Sequence, residues 1–538
     1  STQPPTMVFQ HFHDVASHIQ DVTSVHEDQI ARRRSLKSLN QEQFPEHIIN
    51  EQVVDQDMLG PDETTEEKKD PFMVHADKDD PNHPRNFPKW KKWAITVFTG
   101  ILCFTVAVGS SMPTGALPAA AKGLNVSSEA INLSITLFVA GFGFGPMFFA
   151  PLSEIFGRYP IYVVSGFLYF IFTLPSAVAD NIATMLAARM IAGLAASVPM
   201  TNMGGTISDI WAPEEKGLPM AVFSSTLFIG PTSGPLIGGA IDSGTDEDSW
   251  RYVYWTLFAY TGLVWIATLF MPETNEDTLL ARRAKKLRNQ TGDNRYYTHA
   301  ERHRASLATM AMVCLLRPFE LLVVEPILIF FSLYLCLIYT LLYLMFFAYP
   351  IVFEEGHNFN SLQTGLCFLS IMIGILIAFF FYWFVLEPFG NKRIEKRGYR
   401  TPEDLLPAMF IGAFMLPASL FILAWTSMPS VHWAGSLVAG IPLGFCFVLI
   451  YMSANAYLVD CYPKVSASAL AAKTLLRSEC GAAVPLFVNQ MFHTMKNQWA
   501  FTLLAFVSVA MMPIPFFFYF YGPSFRNRSK YAAGDDEM

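Results

Sequence analysis

The sequence predicts an all-α polytopic membrane protein with 12 transmembrane helices arranged as two six-helix bundles. Three observations carry this expectation. Apolar runs near 20 residues, enough for a helix to cross about 30 Å of hydrocarbon, recur from Trp93 to the C-terminal region. Lys and Arg gather on alternate connections between those runs, as they do on the cytosolic side of membrane proteins. One connection is far longer than the others and divides the array into equal halves.

Composition agrees. Of the 538 residues 52% are hydrophobic and 47 are Phe, while only 15% are charged, against about a quarter in soluble domains. The seven Cys show no metal-like or redox-like spacing, so they read as small buried hydrophobes. No cofactor and no metal is expected. No phosphate-binding Gly-Lys-Ser/Thr loop is present, so energy for pumping must come from an ion gradient or the substrate's own gradient, unless a partner hydrolyses ATP. The net charge of -8 reflects an acidic, polar leader and points to no nucleic-acid partner.

That leader, residues 1–90, has no long apolar run and reads as a disordered cytosolic tail. Its Arg32-Arg33-Arg34-Ser35 run is either a kinase recognition site or a charged patch. With no cleavable signal peptide in view, the first membrane helix serves as the targeting element. The expected spans are 91–112, 129–150, 160–179, 181–208, 217–240, 252–271, 322–350, 361–386, 405–426, 433–458, 465–489 and 498–521. The second carries Glu129, the fourth Arg189, and the eleventh Lys473, Arg477 and Glu479; their apolar flanks keep them in the membrane. Lys89, Lys91 and Lys92 precede the first span. The connection at 272–321 carries Arg282, Arg283, Lys285, Lys286 and Arg288, and that at 387–404 carries Lys392, Arg393, Lys396, Arg397 and Arg400. Arg526, Arg528 and Lys530 follow the last span. The opposite loops hold only Lys122, Arg251 and Lys496. Both termini are therefore expected in the cytosol, which requires an even number of spans. The domains are then the 1–90 tail, a bundle at 91–271, a cytosolic linker at 272–321, a bundle at 322–521 and a tail at 522–538. Within the linker, Leu279 to Leu287 looks helical and is expected along the inner surface. Two halves of equal helix number suggest a transporter with its site between them; no filter-like repeat favours a channel.

Several segments carry mechanism. The stretch GFGFGPMFFAPLSEIFGRYP from Gly141 places Gly141 and Gly145 on one helical face for close packing. Glu154 and Arg158, four apart around a turn at Gly157, pair with each other or with a neighbouring helix end and suit a gate; the plain alternative is a solvated loop. Arg189 lies near mid-depth, where a charge is costly and faces a cavity or partner. Asp209, at the inner end of the same span, reads equally well as an ordinary interfacial residue. In GPTSGPLIGG, Gly230, Gly234 and Gly238 line one face, while Pro231 and Pro235 bend the helix, giving a seam and hinge. Glu325 either titrates or anchors. Tyr334, Tyr339 and Tyr343 either line a broad cavity or pack. Tyr451, Asn455 and Tyr457 add polarity to the inner half of the tenth span, with Asp460 at its end. Lys473 and Arg477 share a helical face, so a neighbouring carboxylate, an aqueous cavity or an anionic substrate group must offset them. Glu479, six residues on, points elsewhere. Asn125-Val126-Ser127 is a possible glycosylation acceptor.

The pieces APLSEIFGRYP at 150–160, RMIAGLAAS at 189–197, GPTSGPLIGG at 230–239, SWRYVYWT at 249–256, FMPETN at 270–275, LLRPFELLVVEPI at 315–327 and the 466–487 stretch together resemble a fungal multidrug:proton antiporter of the major facilitator superfamily. The resemblance is to the twelve-helix drug-antiporter branch that includes polyamine and fluconazole exporters, and covers residues 88–525. It implies the major facilitator fold, a gating role for Glu154 and Arg158, proton coupling through Arg189, and an antiport signature at Gly230 to Gly239. Lys473 stands where the resemblance leads one to expect Asn; this disfavours simple cations at that face or favours acidic or neutral compounds. The implied function is non-enzymatic: export of toxic or amphipathic small molecules (drugs, azoles, polyamines or organic acids) from the cytosol, driven by inward proton flow across the lipid bilayer. The rival expectation is a facilitator or proton symporter importing a nutrient. A monomer in the plasma membrane is expected, with the vacuolar membrane as the alternative site.

Overall fold

A computed structural model describes residues 72–75, 80, 83–212, 215–244, 248–302, 307–397 and 401–532. The Arg32–Ser35 run lies outside these residues. The described part is all-α except for one isolated bridge between Met73 and Tyr297. Ten helices among the described residues are long and apolar enough to cross a membrane. They are α1 (Lys89–Gly123), α2 (Ser128–Phe156), α3 (Arg158–Ala177), α4 (Ile182–Ile210) and α5 (Gly217–Ser243), then α9 (Pro326–Glu355), α10 (Ser361–Leu386), α12 (Pro402–Thr426), α13 (Ala434–Cys461) and the segment Ser466–Arg526. Two further features bear on the expected count. Helix α6 (Ser249–Thr268) has 20 residues but is rich in Trp and Tyr, and is not among the ten. The Ser466–Arg526 segment comprises α14 (Ser466–Met511) and α15 (Pro513–Arg526), and α14 is itself interrupted at Lys496, whose φ of 64° and ψ of 156° cannot belong to a helix. The other helices are α7 (Glu276–Thr291), α8 (Leu307–Val324) and α11 (Glu387–Arg397).

Local chemistry sets the helix ends. Ser127 Oγ accepts the Ala130 N–H at 3.2 Å and Asn181 Oδ1 accepts that of Thr184 at 2.8 Å, capping α2 and α4. Asn360 and Gln363 form a reciprocal capping box at the start of α10. In α1, Pro113 withholds an N–H, and the helix tightens to 3₁₀ geometry over Met112–Ala116 before resuming. Asn125 adopts a left-handed φ of 53° in the turn before α2.

The outward surface is apolar with helical spacing. Val164, Phe167 and Ile171 on α3, and Ile373, Ile377 and Phe380 on α10, are all exposed at steps of three and four. A soluble protein does not expose such continuous stripes; lipid covers them. Inside, hydroxyls return to their own helices: Thr96 to Lys92 O at 2.9 Å, Ser225 to Ala221 O at 3.0 Å and Thr232 to Phe228 O at 2.8 Å. This satisfies donors where no water competes.

Glycines set which helices touch. A Cβ on Gly234 would overlap Ser111, and one on Gly238 would overlap the Met112 carbonyl, so the 230–238 face seats directly on the backbone of α1. A Cβ on Gly193 of α4 would overlap the Phe138 carbonyl of α2, and one on Gly141 would stand 2.5 Å from Met190 O. Close approach of this kind holds helices together where the hydrophobic effect cannot.

The 272–321 connection contains α7, helical from Glu276 as its 279–287 segment suggests. Asn275 Oδ1 caps it through the Thr278 N–H at 2.9 Å, and Gly292 ends it at a φ of 69°. Residues at the end of the expected tail dock against it. Val74 N–H donates to Tyr297 O at 2.9 Å, Arg283 pairs with Asp80 at 2.5 Å, and His83 lies 3.2 Å from Glu276.

Candidate transport pathway

The start of α1 meets the end of α4, with Trp93 5.2 Å from Trp211 and Lys89 3.3 Å from Glu215, at an end of the helix array here called the terminal face. A charge network occupies that face. The Arg158 side chain donates from Nε to Asp209 at 3.3 Å and from Nη1 to Ser153 Oγ at 2.8 Å, and Ser153 donates to Asn202 Oδ1 at 3.0 Å. The Arg158 N–H, together with those of Thr274 and Asn275, donates to one oxygen of Glu273 at 2.9 to 3.1 Å. Glu273 therefore fastens the α2–α3 turn to the chain leaving α6. That turn needs Gly157: its φ is 98°, and a Cβ would strike the Glu273 carboxylate. Glu154 is exposed and makes no ion pair among the described residues, so Arg158 takes Asp209 rather than Glu154 as its partner. Sequence spacing could not find Asp209 or Glu273, because both arrive from distant chain positions.

The second half has its own terminal-face network. Glu325 is buried at the start of α9 and accepts from Tyr462 Oη at 2.9 Å and from Ser529 Oγ at 2.7 Å. It thereby ties α9 to the end of α13 and to the chain beyond α15. Nearby, fully buried Arg526 grips Glu403 with two nitrogens, at 3.1 and 3.2 Å. Helical spacing could not reveal this pair, whose members lie 123 residues apart.

Arg189 is fully buried, 1% exposed. It donates to the Gly109 carbonyl of α1 at 3.0 Å and to the Ser134 carbonyl of α2 at 3.4 Å, and its guanidinium lies 4.1 Å above the Phe138 ring. The side chain thus joins α1, α2 and α4, with no carboxylate in ion-pair range among the described residues.

A second buried group of cations stands on α14, among tyrosines of α9 and α13. Arg477 Cζ lies 4.7 Å from the Tyr339 ring centre and 5.2 Å from that of Tyr451, while Lys473 Nζ lies 4.9 Å from Tyr451. Both cations are 3% exposed, and neither forms an ion pair among the described residues. Arg477 Nε has no hydrogen-bond partner. Tyr343 packs 5.0 Å from Tyr339 and donates to Ser110 of α1 at 2.9 Å, crossing from one half to the other. Phe228 of α5 completes the wall against Tyr451 and Phe447, at 5.3 and 6.1 Å. Ring contacts of this kind are worth about 2 kcal/mol when desolvated, whereas burying a cation costs several kcal/mol. The rings therefore offset only part of the cost. Of the seven residues expected to line a cavity, the structure gathers Tyr339, Tyr343, Tyr451, Lys473 and Arg477. Tyr334 is buried with an unpartnered hydroxyl and makes no ring contact with this group. Asn455 is half-buried one turn from Tyr451, its Oδ1 unpartnered. Glu479 turns away from the two cations, as its spacing suggested: a Cβ on Gly143 of α2 would stand 2.6 Å from its Oε1.

Helices distant in sequence also touch directly, α5 against α10 and α2 against α14. Ser361 Oγ donates to Asp242 at 2.8 Å, a Cβ on Gly365 would stand 2.8 Å from the Leu236 Cα, and Asn132 reaches the Pro485 carbonyl at 3.5 Å. The Major Facilitator Superfamily profile matches residues 99–485. The chain belongs to the major facilitator superfamily. It is 43% identical over 466 residues, 86% of this chain and 84% of the relative, to the MFS transporter paaT of Penicillium rubens. It is 37% identical to the multidrug transporter mdrA of Aspergillus fumigatus, covering 91% of this chain and 80% of that one. It is 34% identical to the efflux pump FUBT of Fusarium oxysporum, covering 90% and 81%. In fold it is similar to the proton:xylose symporter XylE, with a TM-score of 0.58 at 14% identity over 81% of this chain and 97% of that one. This superfamily member is a multi-pass membrane protein that moves small molecules across the bilayer, and its work is transport rather than covalent chemistry.

One consequence for this transporter concerns the Arg158 contact. Its members are only 12% and 21% exposed, so Asp209→Asn removes a partly buried charge-assisted bond worth about 1.5 kcal/mol. Substrate flux is expected to fall several-fold, with Asp209→Glu retaining most of it; flux in vesicles, normalised to folded protein, checks this.

Proposed function

We propose that the protein exports small molecules from the cytosol in exchange for protons, by alternating access of two six-helix halves. Counting α6 as a span and the segment broken at Lys496 as two brings the ten apolar spans to the expected twelve. The terminal face is then cytosolic. The contacts of Asp242 with Ser361 and of Asn132 with Pro485 keep the outer side shut. The observation that carries the coupling is Arg189: a buried cation with no carboxylate partner among the described residues, joining three helices through backbone carbonyls. Its bonds to α1 and α2 are those that a shift of these helices would change. The Arg158, Asp209, Glu273 and Gly157 turn, and the Glu325 junction in the other half, serve as terminal-face latches. Glu154, at the turn's edge, adds negative charge there. The α1–α5 seam at Gly230, Pro231, Gly234, Pro235 and Gly238 carries the rocking. Export as the direction is supported by the relatives named efflux pump or multidrug transporter. The monomer is the working unit, in the plasma membrane.

The test uses purified protein in vesicles with the terminal face outward and an acidic lumen. A panel of labelled organic anions, neutrals and cations is offered outside. At least one member is expected to accumulate in the lumen and to leak out when an ionophore collapses the pH gradient. Uptake indifferent to the ionophore refutes proton coupling. Accumulation only under the reversed gradient refutes export and favours nutrient import.

A further inference from the structure

We propose that the Lys473–Arg477 cluster is an anion-recognition site, and that the molecules carried are organic acids whose carboxylate seats between these two cations while an apolar or aromatic body rests on Tyr339, Tyr451 and Phe228. The inference deepens the export reading and rests on it for placing the cluster on the transport path. Three observations carry it. First, two cations on one helix face are buried together, 3% exposed each, with no carboxylate paired to either among the described residues. Second, Arg477 keeps an unpartnered Nε, a donor left without an acceptor. Third, the surroundings fit the rest of such a molecule: tyrosine faces below the cations, and Tyr343 and Ser110 joining the halves beside them.

The charge around the cluster points the same way. Arg189 is also buried with no acidic partner among the described residues. The nearest acid on the same helix, Glu479, lies against Gly143 of α2 instead of toward Lys473. A cationic ligand would meet like charge at the cluster and find no carboxylate there. A carboxylate would supply the acceptor that Arg477 lacks and neutralise part of the buried charge. A guanidinium and an ammonium one helical turn apart suit one planar oxyanion better than a neutral polar group.

The experiment compares three probes sharing one ring system: 2-naphthoate, 2-naphthamide and 2-naphthylmethylammonium. Binding to the full chain in lipid nanodiscs is followed by calorimetry, with no gradient and no sidedness. Naphthoate is expected to bind at least about tenfold more tightly than the amide, and the cation more weakly still. Lys473→Gln and Arg477→Gln are each expected to erase the preference for naphthoate over the amide, and Lys473→Arg to keep it. Equal binding of all three probes, tighter binding of the ammonium, or a preference that survives both glutamine variants overturns the proposal. So does saturable binding of sulfate at matched ionic strength with no binding of naphthoate, which would mark the cluster as a site for a resident inorganic ion. The wild-type comparison decides the matter even where a variant does not fold. Because the measurement involves no direction or driving force, loss of the charge preference leaves the export reading intact, and failed export in vesicles leaves the preference intact.

Discussion

Replacing Arg189 by lysine is expected to give a folded transporter whose gradient-driven accumulation falls by about ten- to a hundredfold. The reason lies in geometry. The guanidinium reaches the Gly109 carbonyl with one nitrogen and the Ser134 carbonyl with another while lying flat over Phe138. A lysine keeps the charge but presents a single ammonium on a shorter stem, so it cannot serve α1 and α2 at once. A lost hydrogen bond to a charged donor is worth about 1.5–3 kcal/mol, a factor of ten to a hundred in any equilibrium that depends on it. If Arg189 only packs, Arg189→Lys would lower thermal stability and leave the ratio of driven to undriven flux unchanged. Measuring that ratio in vesicles, beside a melting curve, separates the two. Arg189→Ala goes further: it removes the side-chain donor from both carbonyls and opens a void beside Phe138, so coupling is expected to be lost altogether. Full gradient-driven transport in either variant would remove Arg189 from the coupling mechanism.

Gly238→Val is expected to prevent assembly of the first half. A Cβ at Gly238 meets the Met112 carbonyl oxygen of α1, a backbone atom that no side-chain rotation can move aside. Overpacking of this kind costs about 3 kcal/mol, a large share of the stability of a typical protein. A natural control exists six residues away from Gly238. At Gly244 the nearest atom to a new Cβ is the Ala240 carbonyl at 3.5 Å, ordinary van der Waals contact. Gly244→Ala is therefore expected to leave the yield of monodisperse protein after heating unchanged, while Gly238→Val removes most of it. Equal yields would mean that the α1–α5 seam is looser than its geometry implies.

The two variants probe different layers of the same design. Gly238 concerns whether α5 can lie on α1, and so whether the bundle forms. Arg189 concerns, in the proposed mechanism, how the formed bundle responds to a gradient. The latch residues stand between them. Arg158 holds Asp209 and accepts help from Glu273, while Glu325 holds Tyr462 and Ser529 on the other half. Each binds chain segments that are far apart in sequence.

Much of this molecule was legible from one dimension. Apolar runs and alternating basic loops depend only on the lengths and charges that a bilayer accepts, so they mark the helices without any knowledge of their neighbours. Gly230, Gly234 and Gly238 announce a seam because their spacing places them on one face whatever packs there. Lys473 and Arg477 announce an unusual site because two cations one turn apart share a face in any helix. What the sequence could not supply was the partner in each case. Asp209 looked like an ordinary interfacial residue until α3 and α4 set it beside Arg158, and Glu273 became an anchor only through the close turn at Gly157. Glu403 and Arg526 met only after the helices between them had packed. Residues near in sequence constrain one another through helix geometry, but those far apart meet only through the packing of whole helices. Thus the sequence alone determined which segments lie in lipid and which faces they present, and the tertiary structure decided which charges meet, because pairing is a short-range interaction between chain segments whose separation is set by the fold.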